Sequence, residues 1–119
     1  MIMFNEDLVV NTGAVLKWVF YVLDNDKTKK DISNYEFKMH IKSGLRSESR
    51  ILLDCTDYIN NTEFGDLGIV VVSVPHTVTS RLSGGMSGAY YDLKAKTEEG
   101  EVFIISKGKA AILDTVTDF

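Results

Sequence analysis

A single cysteine, Cys55, stands in this chain of 119 residues, so no disulfide can form within it. The cysteine-stapled frameworks of small secreted proteins are thereby excluded. Proline is as scarce, with Pro75 alone, and histidine occurs only as His40 and His76, neither with a Cys or His at metal-ligand spacing. A zinc site is not expected from such a set. No apolar run approaches the roughly 18 residues of a membrane-spanning helix. The opening MIMFNEDLVV has no basic segment, no long apolar segment and no small-residue cleavage site. The expectation is a soluble, unexported chain with no membrane partner.

Catalytic and ligand-binding constellations are missing too. Cys55 closes an apolar run and reads as a buried structural thiol rather than the nucleophile of a Cys-His pair, and no hydrolase-type nucleophile and base stand out. The DND at 24–26 begins like a calcium loop, but Lys29 falls where such a loop needs Gly and Tyr35 where it needs its closing Glu. GGMSG joins no strand to a helix N-terminus, so it reads as a loop and not a phosphate cradle. The sequon NNT at 60–62 means little in an unexported chain. No cofactor and no enzymatic activity are expected.

Thirteen Lys and Arg against seventeen Asp and Glu give a net charge of −4, without blocks of one sign along the chain. Nucleic acid is therefore not expected as a partner. KTKK at 27–30 lies among acids in DNDKTKKD and reads as a solvated turn.

What the chain does have is alternation. In YEFKMHIKS, Tyr35, Phe37, Met39 and Ile41 alternate with Glu36, Lys38, His40 and Lys42, which places the first set inward and the charged set outward on a strand. YDLKAKT and EVFIISK alternate likewise on either side of Glu99-Gly100, which predicts a β-hairpin whose Gly100 takes the positive φ of a tight reversal. Strands are also expected at 8–11, 15–23, 50–55, 68–74 and 109–113, where β-branched and aromatic residues cluster. Turn clusters lie at 11–13, 24–31, 42–49, 60–68 and 83–88. One helical turn is expected in PHTVTSRL, opened by Pro75 and closed by the glycines that follow. About eight short strands with almost no helix indicate a single antiparallel β-sandwich or barrel over 1–119. Trp18, Phe20, Phe37, Tyr91 and Phe103 are either core or a sugar-stacking platform, and core is the preferred reading.

The order of motifs carries a resemblance: DLVVNTGAVLKWVFYVLD, DISNYEFKMHIKS, RILLDCT, GIVVVSVPHTVTSRL, AYYDLKAKTEEGEVFIISKGKAAI and DTVTDF. It resembles the small immunoglobulin-like β-sandwich modules of tailed-bacteriophage virion proteins, similar to the N-terminal domain of phage baseplate upper proteins. The matching positions are Gly13, Asp31 to Tyr35, Tyr91-Asp92-Leu93, Gly108 and Val116-Thr117. The resemblance implies an immunoglobulin-like sandwich of about seven to eight strands. It also implies a non-catalytic attachment, adaptor or decoration module at the tail, baseplate, neck or capsid, assembled in the host cytoplasm and carried in the virion. Partners would be other phage structural proteins, in a symmetric multi-copy assembly or homo-oligomer. Edge strands and end loops are the expected contacts, with Phe64 and Met86 as candidate interface anchors among turn formers. The alternative function is a carbohydrate-binding adhesion module contacting the host surface.

Overall fold

The structure, a computed structural model, describes residues 3–82 and 86–117, apart from the side chains of Met86 and Ser87. Its strands are β1 (Phe4–Asn5), β2 (Leu8–Asn11), β3 (Leu16–Tyr21), β4 (Glu36–Lys42) and β5 (Ile51–Asp54), followed by β6 (Ile59–Asn60), β7 (Ile69–Val74), β8 (Met86–Lys96) and β9 (Val102–Leu113). One helical turn, α1 (His76–Thr79), follows Pro75, and 3₁₀ turns occupy Thr56–Tyr58 and Gly65–Leu67. The turn of α1 ends at Ser80, ahead of Gly84 and Gly85, which lie outside the described residues.

Two sheets form. The larger runs β1-β9-β8-β4-β5 with β2 also on β9, and the smaller runs β3-β7-β6. Every pairing is antiparallel except those of β1 and β2, which run parallel to β9. In immunoglobulin lettering β3, β7 and β6 are B, E and D, while β9, β8, β4 and β5 are G, F, C and C′. The chain is an all-β, immunoglobulin-like sandwich.

The register follows from which side chains must leave water. Phe37, Met39 and Ile41 of β4 are buried while Lys38 is exposed and His40 and Lys42 are half-buried on the other face, because a shift of one residue would turn the lysines into the core. Leu16 and Phe20 of β3 and Val70, Val72 and Val74 of β7 meet Ala89, Leu93, Ala95, Ile105 and Ile112 from the larger sheet in one buried cluster. Trp18 faces the same interior, partly buried, and its ring lies 6.3 Å from that of Tyr91 at 28°.

The predicted hairpin is present between β8 and β9. Thr97 N–H donates to the Glu101 carbonyl at 2.8 Å and Gly100 N–H to the Thr97 carbonyl at 3.0 Å, with Gly100 at φ +89°. The two runs read separately at 101–107 and 109–113 are one continuous strand, β9. Its alternation breaks at Ile105 and Ser106, both buried, where the register against β8 slips between Leu93 and Lys94 and leaves Ile105 as an extra residue.

Gly108 lies opposite Tyr91 across the β8–β9 pair. A Cβ there would stand 2.1 Å from the Glu6 carbonyl oxygen, so only glycine lets the segment between β1 and β2 cross so closely. The Tyr91 hydroxyl donates to that carbonyl at 2.8 Å and lies 2.8 Å from Ser106 Oγ, which ties three elements at one buried point.

Candidate interaction surfaces

In the constant-type immunoglobulin arrangement the first strand sits beside B. Both N-terminal strands lie on β9 instead, so β3 has no second neighbour among the described residues. With six residues it is the longest strand ending a sheet, and an open edge offers unpaired backbone groups to another chain. Beyond Lys17, which faces outward opposite Ser73, its outward side chains are apolar: Val19 is 45% and Tyr21 56% exposed. They pair with Val71 and Ile69 of β7, both half-buried, so the outer face of the small sheet carries an apolar stripe beside the open edge.

The outer face of the larger sheet is different in kind. A cleft of about 800 Å³ runs over β4, β8 and β9, walled by Gly44–Ser47 on one side and by Asn5 and Asp7 on the other. Lys38, Lys42, Arg46, Lys94, Lys107 and Lys109 line it, against Asp7 and Asp92. These are six of the thirteen basic residues and two of the seventeen acidic ones, so the cleft has a formal charge of +4 and the rest of the chain −8. The charges that look evenly spread along the sequence are segregated by the fold. Cross-strand neighbours set the pattern: Asp92 lies between Lys107 and His40 in one row, whereas Lys94 stands directly opposite Lys38. Like charges placed so are destabilising without an anion between them.

Around this cleft the side chains are held. Lys42 Nζ donates to the Ser47 carbonyl at 2.8 Å and fixes the Gly44–Ser47 wall, and His40 Nε2 lies 3.4 Å from Asp54 Oδ2. Burial raises the Asp54 carboxyl, but hydrogen bonds from Thr56 and the nearby His40 outweigh it and hold Asp54 below the usual carboxylate range.

Of the two anchors predicted from sequence, Phe64 is 44% exposed at the start of the 3₁₀ turn leading into β7. Met86 is not at a loop tip: its backbone opens β8, paired with Ile112, and its side chain lies outside the described residues. The structure therefore places Phe64 in the connection between β6 and β7 and Met86 on the larger sheet. Phe20, Phe37 and Tyr91 are buried and Trp18 and Phe103 partly so, which makes these aromatics core and not an exposed platform. Cys55 is fully buried with its thiol pushed up to about 12, first by burial and then by the charge of Asp54. Among the described residues no three His, Cys, Asp or Glu side chains cluster as metal ligands.

Sequence reading missed Asn61. Its side-chain amide donates to the carbonyls of Ile32 and Tyr35, each at 2.9 Å, and so staples the segment Asp31 to Tyr35 to the opposite sheet. The sequon acceptor Asn60 uses its own side-chain oxygen on Thr62 N–H at 3.0 Å and Glu63 N–H at 3.2 Å.

No protein-family model matches the chain, and a search of the curated proteins returns no match. Solved structures do resemble it. The second Ig domain of the mouse polymeric immunoglobulin receptor matches at a TM-score of 0.44 and 10% identity, over 96% of this chain and 99% of that one. The extracellular domain of the voltage-gated sodium channel beta4 subunit gives 0.43 and 10%, over 98% and 97%. A 2,6-sialyltransferase of Photobacterium sp. JT-ISH-224 gives 0.35 and 10%, over 94% of this chain but 18% of that enzyme. The fold assignment stands on this chain's own strand order and pairing.

Proposed function

We propose that this protein is a non-catalytic attachment module of a bacteriophage virion, an adaptor or decoration at the tail, baseplate, neck or capsid. The observation that carries attachment is the open β3 edge with Val19 and Tyr21 turned to solvent beside it. An extended segment of a neighbouring protein would add to β3 as a further strand, its backbone giving affinity and the apolar stripe giving selectivity. The phage setting is supported by the resemblance in motif order from Gly13 to Val116-Thr117.

The test is to replace Val19 and Tyr21 together with Lys, which leaves the inward face of β3 untouched and charges its edge. Melting temperature should hold while incorporation into particles is lost. Full incorporation of the double variant would remove β3 from the interface, and absence of the wild-type protein from purified virions would end the virion reading.

A further inference from the structure

The cationic cleft has no role in the β3 reading, and the molecule itself carries an exposed segment of opposite charge. At one end of the sandwich the Thr97–Glu101 turn projects Glu98 and Glu99, with Glu101 closing it, all three exposed. None of the three makes an ion pair among the described residues. The turn is also rigid: besides its two backbone bonds, Glu101 N–H donates to Thr97 Oγ1 at 3.1 Å. The backbone that carries these carboxylates therefore has little conformational entropy left to lose on docking, and only the glutamate side chains remain to be ordered.

We propose that the Thr97–Glu101 turn of a second copy of this chain docks into the cleft over β4, β8 and β9. The carboxylates of Glu98 and Glu99 enter between Lys38 and Lys94, where the cross-strand pairing leaves two ammonium groups opposed. Lys107 and Lys109 supply further cations along β9. The cleft lies on a sheet face and the turn at a strand end, so the contact is head-to-tail: each copy gives its turn to one neighbour and receives a turn from another. Contacts of this type build rings or open chains rather than closed two-fold dimers. The charge division, +4 in the cleft and −8 elsewhere, sets the polarity of the assembly and makes it sensitive to salt. The interface shares no residue with the β3 edge, so either can fail while the other stands.

The experiment is sedimentation velocity on the purified full chain over a concentration series, at low and at high ionic strength. Mass should rise with concentration at low salt and fall back to the monomer at high salt. Two variants then separate the two halves of the contact: Lys38→Gln with Lys94→Gln disables the cleft, and Glu98→Gln with Glu99→Gln disables the turn. Each alone should remain monomeric, and an equal mixture should stop at a one-to-one complex, because only one working cleft meets one working turn. Should the cleft variant lose its melting transition, Lys107→Gln with Lys109→Gln takes its place. A wild-type chain that stays monomeric at every concentration and salt level overturns the proposal, even one retained on an anionic polysaccharide or nucleic-acid matrix. So does self-association undiminished in either variant alone.

Discussion

Cys55 is the residue whose chemistry departs furthest from that of the free side chain. Its backbone N–H donates to Met39 at 2.9 Å and its thiol is fully buried, so the folded chain keeps the thiol proton up to about pH 12 against an ordinary value of 9.0. The unfolded chain releases that proton from about pH 9 upward. The raised folded value means that the contribution is complete below pH 9 and is lost as pH climbs toward 12, at about 1.4 kcal/mol per pH unit. Urea denaturation of the wild type over that window should fall more steeply with pH than that of Cys55→Ala. Equal slopes would mean that the thiol titrates in the fold as it does in the open chain. The buried, inert character of Cys55 was legible in sequence because it closes an apolar run. Asn61 was not, since its three carbonyl neighbours, at Ile32, Ser33 and Tyr35, are brought to it only by the stacking of one sheet on the other.

Period-two alternation marks β4, and the clustering of β-branched and aromatic residues marks β2, β3, β5 and β7; all five lie within their expected segments. β1 and β6, two residues each, are too short to show any period. The length of β9 was hidden for two physical reasons: a bulge at Ile105 breaks the alternation, and Gly108 has no side chain to register in it. That glycine governs the junction of β1, β2, β8 and β9. In Gly108→Ala the new methyl group would lie 2.1 Å from the Glu6 carbonyl oxygen, so the N-terminal segment must shift and the bond from the Tyr91 hydroxyl must lengthen or break. The expected loss is about 2–3 kcal/mol in chemical denaturation, the upper part of the range of about 1–3 kcal/mol for overpacking a tight site. A loss close to that of an exposed strand substitution would mean that β1 and β2 contribute little to stability.

Across the whole molecule, the sandwich was legible and the surfaces were not. The lysines of β4 and β8 could be placed on a wet face from their own strands, but their convergence with those of β9 depends on which strands neighbour one another, and single-strand periodicity carries no such information. The bare edge of β3 was hidden in the same way, since it follows from the N-terminal strands choosing β9. That choice bears on mechanical load. β2 and β9 run parallel, Leu8–Asn11 beside Ala110–Leu113, so tension applied through the chain on either side of the domain drags them in opposite directions along a common axis. The hydrogen bonds of this seam are then loaded in shear, all together, instead of opening one by one as in a hairpin pulled apart from its open end. Single-molecule pulling should give one sharp rupture, lowered in Gly108→Ala, and a gradual extension without a peak would show that the seam bears no force. A module loaded through the two ends of its chain would in this way be strongest along the axis of that seam.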